Sequence, residues 1–190
     1  KFFPMPDHKS ALFLDRDGVL NVRKFKGYIQ SVAEFTFLPR VVEALQSLQP
    51  HFDYIFVVTN QQGVAKGLMT QEDVEQIHAY MLKRLSAHDI HIHAVYAAYD
   101  HAETEPNARK PNPNMGHWAV RDFPDINFRK SLMVGDTLSD MQFGRHLGMH
   151  CAWIRSGAPF EEQVPGEYYD WQGKSLYQLA QDAPSCLPDN

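Results

Sequence analysis

Ala11-Leu12-Phe13-Leu14-Asp15-Arg16-Asp17-Gly18-Val19-Leu20-Asn21 is the stretch on which the reading of this chain turns. The apolar run Ala11 to Leu14 reads as a strand buried on both faces, as in a parallel sheet. Gly18 permits a sharp turn just past it. Asp15 and Asp17 are thereby delivered to the carboxyl edge of a sheet, where open α/β folds bind ligands. A metal-dependent site that handles phosphate would use such a pair in two ways. Asp15 can act as nucleophile, and Asp17 can move a proton onto the leaving oxygen and off the attacking one. Taken alone, the same residues also suit a surface turn, since such turns are rich in Asp and Gly.

Working outward, Tyr54 to Val58 is a second buried strand, ending in Thr59-Asn60-Gln61-Gln62-Gly63. A third, from about His91 to Ala98, leads to Arg109-Lys110-Pro111, and a fourth, Leu132 to Val134, ends in Gly135-Asp136-Thr137-Leu138-Ser139-Asp140. Helical periodicity fills the gaps. Val41, Val42, Leu45 and Leu48 share one face of a helix over Pro39 to Gln49. Thr70-x-x-Asp73, a capping-box variant, opens another that runs to about Ala87 with Val74, Ile77, Met81 and Leu85 inward. Further helices are expected over Asn114 to Asp122 and over Ser139 to Leu147, the latter stopped at Gly148. Cys151 to Ile154 reads as a fifth strand, and a short helix over Lys174 to Gln181 precedes a Pro-rich end. Alternating strands and helices argue α/β with a parallel sheet.

Each strand thus leads to a chemically useful side chain, in the order carboxylates, hydroxyl, ammonium, carboxylates. This ordered set resembles the haloacid dehalogenase (HAD) superfamily of phosphatases, over about Ala11 to Gly157. The resemblance implies a Rossmann-like three-layer sandwich with a mainly parallel sheet. It implies one HAD-like domain over residues 1–190, with its core at 11–157 and a C-terminal tail at 158–190. Neither the Asp17–Thr59 gap nor the Thr59–Lys110 gap has room for a separate cap domain, which needs on the order of 50 residues beyond the βα unit. A capless, open site with specificity set by loops is therefore expected.

The resemblance also implies roles. Asp15 would attack phosphorus to form an aspartyl-phosphate, and Asp17 would serve as acid and then base. The Asp15 carboxylate, the Asp17 backbone carbonyl and Asp136 would hold Mg²⁺, a hard ion suited to a few carboxylates plus phosphate and water. Asp136 would otherwise be a helix N-terminal anion. Asp140 either orients Lys110 from behind or only favours the helix start. Thr59, with the amides after it, can hold phosphate oxygens, although a Thr ending a strand also follows from β-propensity. Lys110 supplies fixed positive charge to the transferring phosphoryl group. Arg109, with its planar fork, is assigned to a second anionic group.

A narrower resemblance rests on Asp15-Arg16-Asp17-Gly18, Gly27-Tyr28, Thr59 through Gly67, Arg109-Lys110-Pro111 and Gly135-Asp136. These are similar to the D-glycero-D-manno-heptose 1,7-bisphosphate phosphatases, with histidinol-phosphate phosphatases as near relatives. It implies hydrolysis of a small phosphorylated metabolite, with the C7 phosphate of the heptose bisphosphate leading and histidinol phosphate or another small phosphomonoester as the alternative. Tyr28, Asn60, Gln61, Gln62 and Arg109 become the substrate-binding set. Both groups usually carry a zinc loop of three cysteines and a histidine before Arg-Lys-Pro. Here Tyr99 to Pro106 holds His101 and no cysteine, so no structural zinc is expected. His88, His91 and His93 are expected to be solvated rather than ligating. Arg23, Lys24, Lys26 and Arg109 around an open site favour a bisphosphate over histidinol phosphate, whose ammonium they would repel.

Composition narrows the partners. The 190 residues are 44% apolar with a formal net charge of −5, enough for an ordinary core and a poor basis for nucleic-acid or anionic-membrane binding. No run approaches a transmembrane length, and Lys1 to Lys9 lacks the apolar core of a signal peptide. The two cysteines, Cys151 and Cys186, do not suggest a disulfide framework. A monomer in a reducing, cytoplasmic setting is expected. The full set of motif residues argues against a non-catalytic binding module.

Overall fold

Strand β1 (Ala11–Leu14) has no face left for water: Leu12 and Leu14 enter one apolar core, Ala11 and Phe13 the other, and all four are fully buried. The same alternation runs through β2 (Tyr54–Asn60), where Ile55 and Val57 face one core and Phe56 and Val58 the other. This is why these strands read as unbroken apolar runs. The computed structural model describes residues 8–157 and 161–186. Strands β3 (Ala94–Ala98), β4 (Leu132–Gly135), β5 (His150–Ile154) and β6 (Trp171–Gly173) complete a six-stranded sheet in the order β3-β2-β1-β4-β5-β6. Every pairing is parallel, with Leu12 opposite Ile55 on one side and Leu132 on the other.

Helices α1 (Val41–Leu48), α2 (Gln71–Ser86) and α5 (Leu176–Cys186) cover the first face, through Leu45, Leu48, Ile77, Met81, Leu85, Leu176 and Leu179. Helices α3 (Asn114–Asp122) and α4 (Leu138–Leu147) cover the other through Met115, Ala119, Met141 and Phe143. The result is the expected three-layer sandwich. Between β1 and α1 there is only a single helical turn at Val32–Glu34, and residues 99–113 between β3 and α3 hold no helix or strand. The strand order reverses between β1 and β4, so the loops after these two strands diverge and leave a crevice at their carboxyl ends.

Several expectations need correction. The strand expected from His91 begins at Ala94, because the His93 ring accepts the Ile55 amide (3.1 Å) from a part-buried position rather than standing in water. The stretch expected as a tail from 158 carries β6, which pairs with β5, and α5, which runs past Gln181 and packs against the first core. A three-residue strand at a sheet edge leaves too short a pattern to read. The expected Pro-rich end begins within α5, which takes in Pro184; residues 187–190 and the first seven lie outside the described residues. The Thr70 capping box is present in both directions, Thr70 Oγ1 accepting from Asp73 N (3.1 Å) and Asp73 Oδ2 from Thr70 N (2.8 Å). Gly148 ends α4 with φ +77°. Among the described residues no helix is long and apolar enough to cross a membrane.

Candidate active site

The crevice is organised around one buried ammonium. Lys110 is 3% exposed, and its Nζ lies 2.8 Å from Asp15 Oδ1, 2.6 Å from Asp140 Oδ1 and 2.7 Å from the Val58 carbonyl. Three acceptors satisfy its three protons. Burial alone would lower its pKa, but Asp140 and Asp15 hold the ammonium above its usual range. Asn60 clamps its backbone from both ends, accepting from Lys110 N (2.9 Å) and donating to Lys110 O (3.1 Å). Asp15 follows β1 directly and donates its amide to Val134 O (2.9 Å), so its position is set by the sheet. Burial and the charge of Asp140 raise its pKa to about 6 against the pull of Lys110.

Asp140 contacts both Lys110 and the start of α4. While Oδ1 pairs with Lys110, Oδ2 accepts from the amides of Asp136 (3.1 Å) and Thr137 (3.0 Å) and from Thr137 Oγ1 (2.7 Å). Thr137 and Asp140 thus form the capping box of α4, and the helix start and the lysine are held by the same carboxylate.

Asp17 turns the other way. Arg16 Nη2 donates to both its oxygens (3.1 and 3.0 Å), Asn21 Nδ2 to Oδ1 (2.9 Å) and Gln61 Nε2 to Oδ2 (2.9 Å). Burial alone would raise its pKa, but Arg16, Asn21 and Gln61 prevail and the net shift is downward. Gln61 also donates to Thr59 Oγ1 (2.9 Å), and both residues are about 1% exposed. Gln61 therefore bridges Thr59 and Asp17 beneath the cleft instead of lining it.

Asp136 stands in a cluster of carboxylates. Asp15, Asp136 and Asp140 each bring a carboxylate oxygen within 4.8 Å of the others. Asp140 has both oxygens engaged. Asp136 has Oδ2 paired with Arg23 Nη1 (2.9 Å), while Oδ1 is buried with no hydrogen-bond partner. Its pKa lies well above the usual range, through burial first and then Asp15 and Asp140. An orphaned oxygen among clustered hard donors fits a Mg²⁺-type ion. Gly18, at φ +91°, lets the first loop close on this residue, since a methyl group there would collide with the Asp136 carboxylate.

The cleft above has a volume of about 520 Å³, and its lining includes Asp15, Asp17, Tyr28, Asn60, Gln62 and Arg109. Arg109 is half-buried, with Nη1 buried and unpartnered; burial lowers its pKa. Gln62 accepts from Ala102 N (2.8 Å) and lies 3.4 Å from the Tyr28 hydroxyl, tying the cleft floor to the loop of residues 99–106. Asp100, accepting from Ala108 N (2.9 Å), and Asn107, donating to Thr104 O (2.7 Å), hold that loop. The cation ring differs from expectation: Arg23 is taken by Asp136 and Lys24 by Glu34 (2.9 Å). Lys26 and Lys66 also line the cleft.

A HAD-hydrolase-like family model matches residues 107–174, which carry Lys110, Asp136 and Asp140. The chain is 34% identical over 176 residues to D-glycero-alpha-D-manno-heptose-1,7-bisphosphate 7-phosphatase of Mycobacterium bovis, covering 91% of this chain and 90% of that one. This chain belongs to the HAD-like phosphatases. Its similarity to the D-glycero-beta-D-manno-heptose-1,7-bisphosphate 7-phosphatase of Escherichia coli O6:H1 is 32% over 179 residues, 90% of this chain and 92% of that one. The crystal structure of D,D-heptose 1.7-bisphosphate phosphatase from B. bronchiseptica, complexed with magnesium and phosphate, has the same fold at a TM-score of 0.80. It is 24% identical and covers 92% of this chain and 98% of that one.

In this HAD-like phosphatase three site residues escaped the sequence reading. Arg16 is 0% exposed, between Asp17 and His78, whose Nε2 lies 3.1 Å from Arg16 Nη1. Burial first, then Arg16, push the His78 pKa down to about 3, so the ring is neutral and accepts. Asn21 is likewise buried on Asp17. Arg16 could have been found: an arginine enclosed by Ala11–Leu14 and Val19-Leu20 cannot reach water and needs an anion. His78 lies 62 residues away on α2, and no local pattern points to it.

Proposed function

We propose that this chain is a Mg²⁺-dependent phosphatase that removes the C7 phosphate from a D-glycero-D-manno-heptose 1,7-bisphosphate. Asp15 attacks phosphorus in line, the bond from phosphorus to the sugar oxygen breaks, and Asp17 gives that oxygen a proton. Water then attacks the aspartyl-phosphate as Asp17 takes its proton, releasing phosphate and restoring Asp15. Arg16, Asn21 and Gln61 favour the Asp17 carboxylate, the form the water step needs; for the first step it must take up a proton. Lys110 holds the nucleophile and offsets charge on the phosphoryl group. The Asp15 carboxylate, the Asp17 carbonyl and Asp136 would hold the ion, which when bound neutralises charge on the phosphoryl oxygens.

The observation that carries this reading is two buried polar atoms near the carboxyl ends of the strands that have no hydrogen-bond partner. Asp136 Oδ1 has no hydrogen-bond partner, and neither has Arg109 Nη1. One suits the metal and the other suits a second phosphate, which a bisphosphate has and histidinol phosphate does not. The relatives named above support the heptose, and carry both anomers in their names. The test is kcat/KM on the α- and β-heptose bisphosphates beside histidinol phosphate, with products followed by phosphorus NMR. Loss of the C7 signal with C1 retained, abolished by EDTA and restored by Mg²⁺, is expected. A preference for histidinol phosphate, or loss of C1 phosphate, would overturn the substrate.

A further inference from the structure

Lys110 alone balances Asp15 and Asp140, and Arg16 is committed to Asp17. Asp136 is left with one ion-pair partner among the described residues, Arg23, whose Nη1 stands 2.9 Å from Oδ2. The two differ sharply in freedom. The Asp136 side chain is 9% exposed, whereas that of Arg23 is 42% exposed and comes from an irregular loop beside exposed Val22 and Phe25. Arg23 lines the cleft, together with Lys24 and Lys26. It also lines an apolar cavity of about 440 Å³ behind Asp136, between Val19, Leu38 and Leu176. The cavity leaves room for the side chain to swing, and the polar cleft is the side on which a guanidinium leaving Asp136 stays hydrated.

We infer that Arg23 is a resident counter-cation for Asp136 that a divalent ion displaces, so that metal loading frees this arginine for the phosphates of the substrate. The inference rests on the metal-dependent reading above. A dication on Oδ1 and a guanidinium on Oδ2 of one carboxylate repel each other, most strongly where solvent is excluded. The guanidinium is the one that can move. Lacking metal, Arg23 keeps a buried carboxylate from standing unpaired. With metal bound, it joins Lys24, Lys26 and Arg109 at the cleft. Coupling of this kind is reciprocal, so an anion that holds Arg23 away from Asp136 tightens the metal.

Mn²⁺ titration followed by loss of the free-ion EPR signal reads the affinity without any turnover. Arg23→Gln should bind Mn²⁺ about three- to tenfold tighter than wild type, and Arg23→Lys, which keeps the charge, should stay within about twofold. Hydrogen exchange supplies the second readout. Mn²⁺ should speed exchange across residues 22–26 in wild type, and Arg23→Gln should already exchange fast without it. Equal or weaker binding by Arg23→Gln, or metal that slows exchange in this loop, overturns the displacement and leaves Arg23 as a fixed brace. A wild-type protein that takes up no Mn²⁺ overturns the metal reading itself, and the inference with it.

Discussion

At the scale of single residues, the site is a balance of buried charges, and pH exposes it. Asp15 has its pKa raised to about 6 in the folded protein, so between its ordinary value of about 3.9 and 6 the native state binds more protons than the unfolded chain. Its contribution to stability is fully present below the unfolded pKa and is lost as pH rises through 6. Metal-free protein should therefore lose melting temperature from pH 4.5 to 6.5 relative to Asp15→Asn, whose profile should be flatter; parallel profiles would refute the assignment. The same variant should have no turnover, because an amide cannot form the aspartyl-phosphate. Asp15 was legible in the sequence because it directly follows a buried strand, and Asp17, Thr59 and Asp136 were legible for the same reason; Lys110, at the end of a long loop after β3, was legible only through the motif Arg109-Lys110-Pro111. The partners of Asp17 were not. Gln61 and Asn60 stand in a recognisable motif, yet one turns beneath the cleft to Asp17 and the other grips the Lys110 backbone; such direction is set by tertiary packing.

Among the elements, α2 and α4 begin with the same device, a Thr–Asp capping box, and only the box of α4 touches the site. Losing an N-cap costs about 0.5–2 kcal/mol. Thr70→Ala, outside the lining of the cleft, should lose about 1 kcal/mol in urea unfolding and keep its kcat. Asp140→Asn weakens the α4 cap and also removes one of the two charges on Lys110, so it should lose both stability and kcat by at least about tenfold. If Asp140→Asn lost stability alone, its tie to Lys110 would be incidental to activity. Helix starts of this kind could be read from four residues. Strand β6 could not, because three residues carry no period and its parallel partner lies across a long connection.

For the whole molecule, residues 161–186 are part of the fold. Leu176 and Leu179 are buried against the core that α1 shares, and removing them exposes that face, at about 25 cal/mol per Å² of apolar surface. A chain ending at Gly157 should show no cooperative melt by circular dichroism; a transition within a few degrees of the full chain would show the last strand and helix to be dispensable. The strand order has a consequence for how the protein is made. β1 is synthesised before its partners and lies inside the sheet, with β2 on one side and β4 on the other. On the ribosome, Leu12 and Phe13 can pair with Ile55 and Phe56 long before Leu132 and Met133 leave the exit tunnel. Until then the other flank of β1 is an open apolar edge, ready to accept a strand from a neighbouring nascent chain. The same delay keeps Asp15 without Asp136, so the growing polypeptide holds half of its site and no activity until the second half of the sheet has been translated.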